Sequence, residues 1–217
     1  MNDPIALDQG QVGSCTGNAV IGALSTEPFS LRADEPTALS VYVAATKLDN
    51  GCACNSTAVQ CPAAYNPTSG ANDNGSTGVS ALSAALNLER SGQMSQQFTT
   101  YSTADTFAEM LSELDTKGPC VIGTRWYDSM MQTTGCGHLE VDFDSAIDGG
   151  HERAIVAIQV VLTDGKVDAT RSMVWEMNSW GNSWGACVGS RCGYQSITFA
   201  DEEKLLAQGG EIDCPDP

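Results

Sequence analysis

The chain has 217 residues, 41% of them hydrophobic and 17% charged, enough apolar content for one packed domain or two subdomains sharing a core, which excludes a disordered chain. Twenty-seven acidic residues against ten basic ones give a formal net charge of −17, so a phosphate backbone is repelled over most of the surface and nucleic acid is excluded as a partner. No run approaches the roughly 18 apolar residues of a membrane span, and the start MNDPIALDQG has neither the basic nor the apolar region of a signal peptide.

Apolar residues at helical spacing begin after Ser14, placed as N-cap, and run through Val20, Ile21, Ala23 and Leu24 to about Thr26. A second helix follows Pro36, with Ala38, Leu39, Val41, Tyr42, Ala45 and Leu48 on one face, and stops at Asn50-Gly51. Residues 51–75, rich in Cys, Asn, Ser, Pro and Gly, read as an irregular insertion. Helical spacing returns at Val79, Leu82, Ala85 and Leu86, and again from Phe107 to Leu114, where Gly118-Pro119 breaks it. Beyond Pro119 the runs Cys120–Gly123, Ala154–Ile158, Met173–Met177 and Tyr194–Thr198 read as strands. Helices thus precede strands instead of alternating with them. That segregation argues an α+β fold, a mainly helical part at 1–117 and a mainly β part at 118–217, with a site in the cleft between them.

Three constellations carry chemistry. In Asp8-Gln9-Gly10-Gln11-Val12-Gly13-Ser14-Cys15 a glycine-punctuated loop delivers a cysteine to the first turn of a helix, where free amides and the helix dipole stabilise a thiolate. A lone cysteine in a helix is more often a small buried hydrophobe; the flanking glycines and Gln9 shift the balance. A thiolate needs a base, and the chain has two histidines. His138 lies in a loop-like Gly135–Leu139 context suited to a structural role, whereas His151, after Gly149-Gly150, opens an apolar strand that can aim an imidazole. In Asn178-Ser179-Trp180-Gly181-Asn182-Ser183-Trp184-Gly185 the asparagine carbonyl can accept from the second ring nitrogen of a histidine while a tryptophan keeps water away.

With QGxxGSC at Gln9–Cys15, GGH at Gly149–His151 and NSWGxSWG at Asn178–Gly185, in that order, the chain resembles the papain-like cysteine peptidases. Gly118-Pro119 before an apolar strand, Tyr127-Asp128-Ser129 and Gly193-Tyr194 extend the resemblance over most of the chain. It implies a two-lobed fold with the active-site cleft between a helical lobe and an antiparallel β lobe. It implies Cys15 as nucleophile, His151 as general base and then acid, Asn178 as the residue that orients His151, and Gln9 with the Cys15 N–H as oxyanion hole. Gly75 and Ser76 resemble the backbone that pairs with an extended peptide, and Gly150, Glu152 and Trp180 complete the substrate-binding set. The implied reaction is hydrolysis of peptide bonds through a thioester, on a peptide or protein substrate, without cofactor or metal, and with a depressed Cys15 pKa.

Departures from the family carry their own expectations. Few residues precede Gln9, so control by a cleaved propeptide is not expected. Glu152-Arg153 stands where the family has small or apolar residues: either Glu152 selects a basic side chain two positions before the scissile bond, or the two form a solvated pair at a strand end. Cys187 and Cys192 bracket an unusually long link and are expected to form a disulfide. Setting Cys15 aside, the other eight of nine cysteines allow four bridges, with Cys52, Cys54, Cys61, Cys120, Cys136 and Cys214 unassigned. Cys52-Ala53-Cys54 lacks zinc-ligand spacing, so no metal is expected. The acidity, the short start and the disulfides point to a bacterial or phage-type member that is extracytoplasmic or virion-associated. Two alternatives stand beside the peptidase: a structural or binding protein retaining the fold, such as a component of a larger particle, and a hydrolase of cell-wall peptide cross-links.

Overall fold

The computed structural model describes residues 6–49, 64–188 and 191–217. Among these, the helices are α1 (Cys15–Leu24), α2 (Glu35–Asp49), α3 (Gly78–Arg90), α4 (Phe107–Thr116) and α5 (Phe199–Leu206). Seven strands make one antiparallel sheet, in the order β1 (Thr100–Thr103), β9 (Glu211–Asp216), β2 (Cys120–Tyr127), β3 (Ile147–Gln159), β6 (Met173–Met177), β8 (Arg191–Thr198) and β7 (Ala186–Val188). The strands β4 (Leu162–Thr163) and β5 (Lys166–Val167) pair separately. Helices and an antiparallel sheet give the α+β class expected from the sequence.

The middle of the sheet is buried on both faces, from residues 120–122 of β2 to 151–155 of β3. Successive side chains of a strand point to opposite faces. Val121 and Ala154 face a core built with Val20, Ile21, Leu24, Val41 and Leu82 of α1, α2 and α3. Cys120, Ile122 and Ile155 face a second core with Met110, Met130, Leu139, Ile197 and Leu205. Apart from Cys15, α1 is buried throughout, so its side chains are apolar or small all round.

Several elements differ from the sequence reading. Ser14 precedes α1 but does not cap it with its side chain; Asn18 Nδ2 reaches back 3.0 Å to Ser14 Oγ and 2.8 Å to its carbonyl instead. The first-turn amides are thereby left open beside Cys15. Strand β3 begins before His151, since Ile147, Gly149 and Gly150 pair with Tyr127, Trp126 and Arg125. Helix α5 has too few apolar residues to show a period; it is capped by Thr198, which accepts the Asp201 N–H.

The Cys187–Cys192 disulfide closes the β7–β8 hairpin as expected. A second, Cys120–Cys214, ties β2 to its neighbour β9. The four-bridge arithmetic fails at Cys136, which is free and exposed in a turn between two glycines. Cys52, Cys54 and Cys61 lie outside the described residues.

Candidate active site

Two sets of backbone bonds bring the distant motifs together. Leu7-Asp8-Gln9 runs antiparallel to Ser179-Trp180-Gly181, with Gln9 N–H donating to Ser179 O at 2.8 Å and Gly181 N–H to Leu7 O at 2.9 Å. On the other side, the Gly13 N–H donates to the Asp73 carboxylate at 2.9 Å, and Asp73 also accepts the Tyr42 hydroxyl at 2.6 Å. Tyr42 Oη in turn accepts the Gly75 N–H at 3.1 Å. The loop before Cys15 is thus clamped between the Asn178 segment and the Gly75 segment. Asp73 and Tyr42 escaped the sequence reading, Tyr42 because it sits on an apolar helix face.

Cys15 and His151 line one cleft of about 650 Å³, with Gly75 and Ser76 on one wall and Gly149 and Gly150 on the other. Cys15 is free and half-buried at the start of α1, and the backbone amide of Glu152, the residue after His151, favours its thiolate. His151 is buried on β3, and its Nε2 lies 2.8 Å from Asn178 Oδ1. Trp180 covers the ring at 5.1 Å between centroids, and Trp126 packs edge-on at 4.7 Å. Trp180 therefore stands over His151 and Asn178 and is absent from the cleft lining that includes Gly150 and Glu152. Trp126, half of this aromatic cage, lies in β2 and carried no motif to mark it.

Burial pushes the Cys15 thiol up to about 11, against the pull of the Glu152, Thr16 and Cys15 amides. Burial likewise pushes the His151 imidazole down to about 4, with the Asn178 hydrogen bond opposing and the Arg153 charge adding to it. Taken singly, each group is neutral near pH 7, so the helix N-terminus by itself does not yield the thiolate that the sequence suggests.

The Gln9 side chain is anchored at both ends. Its Nε2 donates to Val12 O at 2.8 Å, and its Oε1 accepts the Ser179 hydroxyl. One Nε2 hydrogen remains beyond the bond to Val12. His138 is remote from this cluster and bridges to Ser196.

The solvated Glu152–Arg153 pair is not what forms. Both residues are buried, and their side chains leave β3 on opposite faces. The Glu152 carboxyl lies beneath the cleft with Glu211 and Asp213 of β9, where burial and the two acidic neighbours raise its pKa well above the ordinary range. Gly78 and Gly123 make room for it: a Cβ on Gly78 would meet Glu152 Oε1 at 2.7 Å, and one on Gly123 would run into Oε2. Asp213, buried beside them, is raised to about 6. Arg153 instead meets Glu176 at 3.0 Å and Glu202 at 2.9 Å, all three side chains fully buried.

The chain aligns over its whole length with xylellain, a cysteine protease from Xylella fastidiosa, covering 84% of that chain at a TM-score of 0.66 and 17% identity. It aligns equally completely with digestive procathepsin L 3 of the Tenebrio molitor larval midgut, covering 67% of that chain at a TM-score of 0.62 and 15% identity. The fold is that of the papain-like cysteine proteases. No protein-family model and no curated protein matches the sequence, so at these identities the likeness establishes the papain-like fold and leaves activity to the geometry. Among the described residues no helix is long and apolar enough to cross a membrane.

Proposed function

We propose that the chain is a papain-like cysteine endopeptidase. The observation that carries this reading is the buried His151 Nε2–Asn178 Oδ1 contact of 2.8 Å under Trp180, in the same cleft as a free cysteine at a helix N-terminus. In this reading Cys15 attacks the peptide carbonyl, and its proton passes to His151 Nδ1. The Cys15 N–H and the remaining Gln9 Nε2–H hold the oxyanion; His151 then protonates the leaving amine, and water hydrolyses the thioester. The Gly75-Ser76 and Gly149-Gly150 walls offer backbone to an extended peptide on either side.

Hydrolysis of casein and of fluorogenic peptides by the wild type and by Cys15→Ala tests the proposal. The variant is expected to lose more than about 10³-fold in kcat/KM; equal rates would transfer the fold to a binding or structural role. Gln9→Ala is expected to lose about 10²–10³-fold in kcat, the usual cost of one oxyanion donor. The two disulfides of the described residues fit an oxidising compartment.

The carboxyls of Glu152 and Glu211 at the floor of the cleft support a preference for a substrate with Arg or Lys two residues before the scissile bond. An approaching cation draws the proton off Glu152, whose pKa burial and the neighbouring Glu211 and Asp213 raise. Glu211→Gln should lower kcat/KM for an Arg peptide by about 10-fold, the worth of one charged hydrogen bond, and leave a Leu peptide unchanged. Equal losses on both peptides would remove the acidic floor from specificity.

A further inference from the structure

A buried polar chain runs from His151 away from the cleft. Asn178 Nδ2 donates to Gln195 Oε1 at 3.0 Å, and Gln195 Nε2 donates to Glu176 Oε2. Glu176 is gripped by Arg153, with Nε 3.2 Å from Oε2 and Nη2 3.0 Å from Oε1. Arg153 also donates to Glu202 Oε1, to Thr124 Oγ1 at 2.7 Å and to the His151 carbonyl. Gln195, Glu176, Arg153 and Glu202 are all fully buried.

Such a chain has a direction. A carboxylate held by a guanidinium only accepts hydrogen bonds, so Glu176 must receive the amide end of Gln195. Gln195 must then present its carbonyl to Asn178, and Asn178 must present its NH2 to Gln195. The Asn178 carbonyl is left for the Ser179 N–H, at 2.6 Å, and for His151 Nε2. An acceptor opposite Nε2 requires the proton on Nε2 and leaves the lone pair on Nδ1.

We propose that Gln195, Glu176 and Arg153 are positioning residues that lock His151 in its Nε2–H tautomer through Asn178, keeping Nδ1 as the base. Nothing in the three motifs reveals them; they act on the imidazole from behind, through two amides whose orientation a buried ion pair dictates. The kinetic part of this inference rests on the peptidase reading, whereas the tautomer itself does not.

With only two histidines in the chain, nitrogen-15 NMR of the imidazoles reads the tautomer directly. The wild type is expected to show His151 as the Nε2–H form alone across pH 5–9. Gln195→Met, which keeps the volume and removes both hydrogen bonds, should introduce the Nδ1–H form and lower kcat by on the order of 10-fold with KM unchanged. Gln195→Glu supplies the decisive control. When protonated, its carboxyl repeats the polarity of the amide, accepting from Asn178 and donating to Glu176; once ionised it can only accept. It faces Glu176 of β6, with Arg153 and His151 of β3 and Glu202 of α5 beyond. The wild-type tautomer and kcat should therefore be retained at low pH and lost as pH rises. A Gln195→Met protein with the wild-type tautomer, or a Gln195→Glu protein whose tautomer ignores pH, overturns the assignment. Absence of peptide hydrolysis in the wild type would sink the peptidase reading while the NMR result still judged this one.

Discussion

Replacing His151 with alanine is expected to make alkylation of Cys15 by iodoacetamide fall about tenfold for each pH unit below 11, whereas in the intact protein the fall should level off below about pH 7. Burial makes the thiolate alone unfavourable and the imidazolium alone unfavourable. Formed together they offset part of that cost, because two unit charges about 4 Å apart at an effective dielectric of about 20 attract by roughly 4 kcal/mol. That is close to a thousandfold in the proton-transfer equilibrium, about three of the roughly seven pK units between a thiol near 11 and an imidazole near 4, so the neutral pair prevails and about one Cys15 in 10⁴ is a thiolate at any pH between 5 and 7. The pull of the Glu152, Thr16 and Cys15 amides on the anion is already contained in the value of about 11. The measurement belongs in a Cys136→Ser background, since Cys136 is the other free thiol among the described residues. Alkylation rates followed by mass spectrometry from pH 5 to 11 should separate the two proteins by about 100-fold at pH 5, where the free thiolate of the variant has fallen a further hundredfold below its level at pH 7. Coincident profiles, both rising only at high pH, would deny that His151 ionises the sulfur.

What the sequence reveals and what it hides follow from how far each signal extends. Cys15, His151 and Asn178 sit in glycine-bounded motifs because sharp turns must deliver them to one cleft, and turns leave a local imprint. The α+β class is equally readable, since the apolar run Ala154–Ile158 enters the core at Ala154 and Ile155 and the buried face of α1 carries Val20, Ile21 and Leu24. The supporting cast has no such imprint. Asp73 acts on Gly13 across 60 positions and Trp126 on His151 across the β2–β3 ladder, where Thr124 faces His151. Glu211 and Asp213 reach Glu152 only because the last strand returns beside β2. A weak signal did exist: Arg153, Glu176 and Gln195 interrupt otherwise apolar strands, and a charge in a core strand demands a buried partner. Which partner it finds depends on strand order, and β2–β3–β6–β8 is a tertiary fact that single-strand patterns do not contain.

The buried ion network also sets the stability of the protein. Arg153→Met should be the most damaging conservative change in the β half, because it strands Glu176 and Glu202 in a fully buried site without their cation. Removing one partner of a buried pair costs about 3–5 kcal/mol, which for a chain of this size lowers Tm by roughly 6–20 °C. Two carboxylates share that one guanidinium, and Glu202 carries the excess: burial raises it to about 8, and its Oε2 has no hydrogen-bond partner. Burial and neighbouring acids raise Glu152 and Asp213 as well. For each of these acids the folded chain keeps a proton that the unfolded chain releases above about pH 4–5, so stability falls as pH climbs through that gap. His151 works the other way, its folded pKa of about 4 lying below the ordinary imidazole value of 6.5, and it subtracts stability as pH drops between those values. Three acids outweigh one imidazole between pH 5 and 8. Thermal melts of the wild type should therefore show Tm rising as pH is lowered from 8 to about 5 and turning down only in stronger acid. Arg153→Met should show the steeper rise, since two carboxylates then compete for protons without a counter-charge. A wild-type maximum near pH 8 would mean that Glu152, Glu202 and Asp213 are ionised in the folded protein and that the network is charged throughout.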